Sequence, residues 1–237
     1  MPQRIEKKGA KMELGYWAIR GLAQPIRLLF AYVEEPFSDV RYGLNQDGTQ
    51  CVNDWESVKT ELKMPFPNLP YLIDSTSEVE VQVSQSNSVM RYLGRRFDLY
   101  GQTLAECTAI DVLQDDAYDY RNKIVDTVYT PNPEYEKVYA RFATDAVSRH
   151  IGGFERYLGE RDAHTHFVGT DISIIDFILY ELVWQTSVMV PGSVSETSHP
   201  NLFAFMTAFE KIPQIAAYMI HSDYIERPIN SDNASFK

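Results

Sequence analysis

The sequence predicts an α/β domain followed by an all-α domain, and two observations carry the prediction. Through residue 97, short strand-like segments alternate with helix-like ones, whereas after the turn-like "DLYGQT" at 98–103 strand signals vanish and long helical periodicities take over. The divisions that follow are a mobile extension over 1–11, an α/β domain over 12–97, a linker over 98–103 and a helical domain over 104–237.

Each element has its own signal. "KMELGYW" alternates, with Met12, Leu14 and Tyr16 on one face, and "PIRLLFAYVEE" then sets Ile26, Leu29, Phe30 and Val33 at helical spacing, with Pro25 suited to a first helical turn. "SDVRYGL" alternates again through Val40, Tyr42 and Leu44, and "NDWESVKTEL" reads as a short helix. "YLID" and "EVEVQV" form a hairpin pattern, with Val79, Val81 and Val83 facing away from Glu78, Glu80 and Gln82. A helix capped by Ser86, "SNSVMRYLGRRF", closes the domain. Helical patterns then cover 104–129, about 134–158 with a break near Gly152-Gly153, 173–189, 200–211 and 213–221. Ser173 and Asp176 form a capping box, with Ile172 and Phe177 as its hydrophobic staple.

Composition narrows the function classes. A chain of 237 residues, 44% hydrophobic and 23% charged, can bury a sizeable core. Its formal charge of −11 argues against nucleic-acid and anionic membrane surfaces, leaving small molecules and proteins as partners. Cys51 and Cys107 are far apart, without disulfide-framework or metal spacing, which points to a reducing cytoplasm. His164 and His166 in "DAHTHF" also lack metal spacing and read as a surface loop. No stretch approaches the roughly 18 apolar residues of a membrane span, and "MPQRIEKKGAK" lacks the apolar centre of a signal peptide.

In "MPFPNLPYLID", Pro65, Pro67 and Pro70 crowd the entrance to an apolar strand, although proline removes a ladder donor. In one reading Pro65 and Pro67 shape a loop and Pro70 merely starts the strand. In the other the Leu69–Pro70 bond is cis, turning the Leu69 N–H and C=O toward solvent, where an extended peptide-like ligand could pair with them.

"LGYWAIRGLAQPIRLLF", then "DW" with Lys59 four residues after Trp55, then "FPNLPYLID" and "QSN", resemble the cytosolic glutathione transferases, and the Tyr-Trp pair with "RGLAQPIRLL" is similar to the mu class. The likeness extends from about Met12 to Pro228. It implies a thioredoxin-like first domain, a helical second domain, and attack of the glutathione thiolate on hydrophobic electrophiles, with glutathione as co-substrate and no cofactor or metal.

Site residues follow from the resemblance. Tyr16, ending a strand, would donate a hydrogen bond to the thiolate; without the motif, core packing would be the default for one of 15 tyrosines. The γ-glutamyl carboxylate suits the helix start at Ser86, beside Gln85. Leu69, ahead of Pro70 and led by Asn68, would pair with the cysteinyl backbone. Trp55 and Lys59 would hold the glycyl carboxylate, although a Trp and Lys four apart also describe an ordinary solvated helix face. Trp17 and Leu22 complete that wall. Asp119 would reach the γ-glutamyl amine across a dimer interface, or else Asp111, Asp115, Asp116 and Asp119 are an acidic solvated stripe. Phe66 would be an aromatic key inserted into a partner in a symmetric homodimer, or else a core phenylalanine. The electrophile pocket would comprise Tyr16, Trp17, Ile19, Leu22, Tyr118, Arg121, Asn122 and Tyr129, with Tyr129 assisting an epoxide or developing oxyanion.

The sequence also departs from the mu pattern. Val52 stands in place of an arginine near the glycyl carboxylate, Thr130 and Pro131 are inserted after Tyr129, the hairpin over 75–84 is longer, and Asn230 replaces a pocket aromatic. Detoxifying conjugation is the expected activity. The alternative is a non-catalytic carrier of hydrophobic ligands, or a structural protein of the same fold. A disulfide reductase would need the Cys pair that is missing.

Overall fold

The computed structural model describes residues 2–43, 52–161 and 165–237, so Leu44, Cys51, His164 and the side chain of Val52 lie outside the described residues. The chain divides into two compact units. One runs through Leu93 and regains Asp223–Asp232 and Lys237; the other comprises Gly94–Ser222 and Asn233–Phe236.

Five strands, β1 (Gln3–Ile5), β2 (Met12–Trp17), β3 (Phe37–Tyr42), β4 (Tyr71–Asp74) and β5 (Val81–Ser84), form a mixed sheet in the order β1-β3-β2-β4-β5. β2 runs parallel to β3, from Met12↔Phe37 to Trp17↔Tyr42, and antiparallel to β4, with Gly15 opposite Tyr71. The helices of this unit are α1 (Gln24–Val33), α2 (Val52–Lys59) and α3 (Ser86–Arg96). This is the thioredoxin-like α/β arrangement. Leu14, Ile26, Leu29, Phe30, Leu72 and Val89 are fully buried, each such side chain contributing about 1.5–3 kcal/mol.

Two expectations for this unit need correcting. Residues 1–11 are not wholly loose chain: β1 pairs antiparallel with β3, Gln3 opposite Arg41 and Ile5 opposite Asp39. "QRI" has no period of its own, and its strand state comes from the ladder it joins. The second hairpin strand starts at Val81 rather than at Glu78; Val79 is exposed, and Asp74 instead accepts from Thr76 N and Oγ1 at 2.8 and 2.6 Å. An Asx-type turn competes for those residues.

A buried ion cluster joins α1 to β3. Asp39 accepts from Arg27 Nε at 2.9 Å and from Arg41 Nε at 2.8 Å, while Arg27 Nη1 also donates to Ile19 O at 3.0 Å. Burial alone would raise the Asp39 carboxyl, but the two guanidiniums outweigh it and hold it below the usual carboxylate range.

The second unit is helical: α4 (Leu104–Val128), α5 (Tyr135–Arg141), α6 (Val147–Gly159), α7 (Ile174–Met189), α8 (Pro200–Glu210) and α9 (Pro213–Met219). The interruption expected at Gly152-Gly153 falls instead at a π-helical turn, Phe142–Ala146. Each helical glycine costs about 1 kcal/mol, but Ile151, Phe154 and Leu158 around the pair are buried, and their packing outweighs that cost. The Ser173 capping box forms as read, Asp176 accepting from Ser173 N at 2.7 Å and also from Phe167 N at 2.8 Å. A second box, Thr103 with Glu106, starts α4. Among the described residues no helix is long and apolar enough to cross a membrane.

Candidate active site

Tyr16 lies near the end of β2, 5% exposed, and its hydroxyl accepts a hydrogen bond from Leu22 N at 3.0 Å. That contact depends on Gly21, at φ +39°, where an added Cβ would fall 2.7 Å from Tyr16 Oη. A hydroxyl that accepts from an N–H is polarised by that bond, which strengthens any hydrogen bond it donates.

The loop that delivers Leu22 is fixed from a distant part of the sequence. Arg20, fully buried, donates from Nη1 to Tyr224 Oη at 2.7 Å and to Ile225 O at 3.2 Å. Arg20 N and Gly21 N donate to Pro228 O and Ile229 O at 2.8 and 3.0 Å, and Arg41 Nη2 reaches Asp223 O at 2.6 Å. Sequence reasoning missed this return of the chain. Arg20, within "IRGL", is a cation in an otherwise uncharged stretch and was the available signal. Asn230, where an aromatic was expected, is buried in this same unit.

The Leu69–Pro70 bond is cis, as are Asn132–Pro133 and Arg227–Pro228. The expectation that the Leu69–Pro70 bond turns the Leu69 N–H to solvent is corrected: Leu69 is buried and its N–H donates to Asn68 Oδ1 at 2.9 Å, because the preceding amide side chain reaches it first. Gln85, immediately before α3, sits at φ +72°, a region non-glycine residues rarely adopt outside sites where local geometry matters. Ser86 is the first residue of α3 rather than a residue ahead of it, so the helix N-terminus opens beside Gln85. Trp55 is buried: its ring stacks on Tyr71 and meets Tyr42 edge-on. Lys59, more exposed on the same helix, lies 3.6 Å from Glu56. Trp17 and Leu22 are half-buried and Ile19 is buried. Phe66, between two prolines, is 77% exposed, which excludes a core role within the chain, and its carbonyl accepts from Ser84 Oγ at 2.7 Å.

In the helical unit, Tyr118, Arg121, Asn122 and Tyr129 recur along α4 at spacings that share one face. The Arg121 guanidinium lies 4.8 Å from the Tyr118 ring centroid. Tyr129, 36% exposed, is the C-cap residue of α4, and the turn after it is pinned within this unit by Ser235 N on Val128 O at 2.7 Å and Ser235 Oγ on Thr130 O at 2.9 Å. The inserted Thr130 donates to Asp126 O at 2.6 Å, closing the helix end. Asp119 is exposed on α4. A cavity of about 380 Å³ in this unit, bordered by Lys123, Thr127, Arg141, Phe142, Asp145 and Arg149, contains none of the residues singled out from the sequence. His166 is half-buried, and Cys107 donates to Tyr100 O at 3.1 Å. No group of three or more His, Cys, Asp or Glu that could hold a metal occurs among the described residues.

Comparison with known proteins agrees with this architecture. Residues 12–95 match the glutathione S-transferase N-terminal domain and residues 118–222 the C-terminal domain. The chain is 34% identical over 218 residues to rabbit (Oryctolagus cuniculus) glutathione S-transferase Mu 1, covering 92% of this chain and 94% of that one. It is 31% identical over 227 residues to human glutathione S-transferase Mu 3, covering 96% of each. Among solved structures, a Pi-class glutathione S-transferase of Onchocerca volvulus aligns with a TM-score of 0.78 at 26% identity, over 94% of this chain and 99% of that one. Two domain matches in order, and full-length likeness to mu-class proteins, lead to one conclusion: the chain belongs to the glutathione S-transferase family.

Proposed function

We propose that this protein conjugates glutathione to hydrophobic electrophiles, Tyr16 stabilising the thiolate. The observation that carries the reading is the Leu22 N–H donating to Tyr16 Oη at 3.0 Å, in a loop locked by Arg20 and permitted by Gly21. A free thiol has a pKa of about 8.5, and lowering it by about two units corresponds to roughly 2.7 kcal/mol. A charge-assisted hydrogen bond from an oriented phenol, with neighbouring backbone dipoles, is of that size. The thiol proton leaves to solvent, the sulfur lone pair forms the C–S bond, and the leaving group departs with its bonding electrons. That balance needs no metal or cofactor.

In this reading the γ-glutamyl carboxylate lies at the α3 N-terminus by Gln85 and Ser86, the cysteinyl N–H meets the Leu69 carbonyl, and the glycyl end meets Trp55 and Lys59. Tyr118, Arg121, Asn122 and Tyr129 serve the electrophile, Tyr129 by hydrogen bonding to a developing oxyanion. Phe66 anchors a homodimer, in which Asp119 of one subunit serves the other. The cytoplasm, with its reducing glutathione pool, is the fitting compartment.

Turnover with a chlorodinitrobenzene-type substrate, compared with Tyr16→Phe, tests the assignment. The variant is expected to lose about ten- to a thousand-fold in kcat/KM, and ultraviolet titration of its glutathione complex should show the thiol pKa returning toward about 8.5. Unchanged turnover in the variant would reject Tyr16. Absence of turnover in the wild type, with hydrophobic ligands still bound, would point to a carrier.

A further inference from the structure

β1 precedes the region matched to the N-terminal family domain, which begins at residue 12, yet its Arg4 opens a chain of polar contacts that ends at Tyr42, on whose ring and that of Tyr71 Trp55 packs. Arg4 Nη1 donates to Glu13 Oε2 at 2.5 Å, and Tyr71 Oη donates to Glu13 Oε1 at 2.8 Å. The Tyr42 and Tyr71 hydroxyls are 2.8 Å apart. A carboxylate only accepts, so the single Tyr71 proton goes to Glu13 and Tyr42 must be the donor to Tyr71. The chain is therefore directional, running from Tyr42 through Tyr71 to Glu13. Burial raises the pKa of both phenols, which keeps both protons in place at neutral pH.

Sheet register explains why these residues meet. Arg4 lies opposite Val40, Val40 is in turn opposite Gly15, and Gly15 is opposite Tyr71, so the three strands beside β1 bring one face to it. A Cβ at Gly15 would fall 2.1 Å from a Tyr71 ring atom, so the ring lies across the residue that precedes Tyr16. Tyr71 also follows Pro70 directly. The Trp55 ring stacks on Tyr71 with centroids 6.1 Å apart at 21°, and meets Tyr42 at 5.6 Å and 67°. Glu13, with 22% of its side chain exposed, has Arg4 as its cation. Without that cation a half-shielded carboxylate gains by turning to water, and Tyr71 then loses the acceptor that orients it.

We propose that Arg4 is a positioning residue for the glycyl end of bound glutathione, acting through Glu13 and Tyr71 to hold the Trp55 ring in its binding orientation. The proposal rests on glutathione being the ligand, as inferred above. It assigns a role in the site to a strand that the matched family region does not include.

The test uses the full chain with Arg4→Met, which keeps the aliphatic stem and removes the charge. Glutathione Kd from tryptophan fluorescence quenching and glutathione KM are expected to rise about two- to fivefold, with kcat at saturating glutathione within about twofold of wild type and the electrophile KM unchanged. Arg4→Lys should restore most of the loss. Glu13→Leu, which removes the acceptor of the Tyr71 hydroxyl, should reproduce the effect, and combining it with Arg4→Met should add little, as for groups acting in series. Kd and KM within 1.5-fold (roughly 0.2 kcal/mol) of wild type in Arg4→Met would overturn the proposal, as would a lowered melting temperature with unchanged Kd. Additive losses in the double variant would overturn it too. Wild type that conjugates while Arg4→Met binds normally refutes only this role; wild type that neither binds nor conjugates glutathione refutes the functional reading and this role together.

Discussion

The two units carry their assigned residues in different ways. In the α/β unit, Tyr16, Leu69 and Trp55 are buried and tied to neighbours by short hydrogen bonds or ring contacts, and behind them the Arg27–Asp39–Arg41 cluster fixes the backbone. In the helical unit, Tyr118 and Tyr129 stand on an exposed helix face. A tripeptide of fixed chemistry calls for preorganised partners, whereas a varied set of electrophiles calls for a surface that accommodates differences. Substitutions behind the first set should therefore cost stability, and those within the second should alter only substrate preference.

The sharpest way to break that contrast is Asp39→Asn, which leaves two buried guanidiniums facing a neutral amide. A loss of about 3–5 kcal/mol in urea unfolding is expected, with α-helical signal from the second unit persisting longest. The sign of the pH effect follows from the lowered Asp39 pKa. Its contribution is fully present above the ordinary aspartate value of about 3.9 and disappears as pH falls through the depressed folded value. The wild type should thus lose stability below about pH 4 more steeply than the variant.

A second test concerns Phe66, which stands out in the α/β unit because it is exposed. If the proposed homodimer forms, Phe66→Ser should weaken it by about 2–4 kcal/mol, read by sedimentation across a dilution series. A sedimentation profile identical to wild type would remove Phe66 from the interface. The smallest effect is expected from Tyr129→Phe: about a tenfold loss in kcat/KM with epoxide substrates and almost none with chlorodinitrobenzene-type ones. Equal losses on both would mean that the helical side is no more tolerant of varied substrates than the glutathione side.

The sequence made local chemistry readable and left long-range returns hidden. Pro70 at a strand entrance and Ser173 three residues before Asp176 announce their structures, because each depends on neighbours a few positions away. Gln3–Ile5 gave no signal, since its strand exists only by pairing with β3. The π-helical turn at Phe142–Ala146 was masked by the more conspicuous glycine pair ten residues later. Tyr16 was found through its motif. Arg20, which secures the loop contacting it, carries no local signal of its partners, because Tyr224 and Ile225 lie more than 200 positions away. The Thr103–Glu106 box is legible locally, in the capping spacing of "TLAE".

That long return has a consequence for biosynthesis. Residues 223–232 are part of the first unit, so a ribosome must translate through every helix of the second unit before the loop beside Tyr16 can find its anchors. Nascent chains halted anywhere before Tyr224 would hold Arg20 without the hydroxyl and carbonyl it binds, and the Tyr16 end of the sheet would be among the last parts of the protein to set.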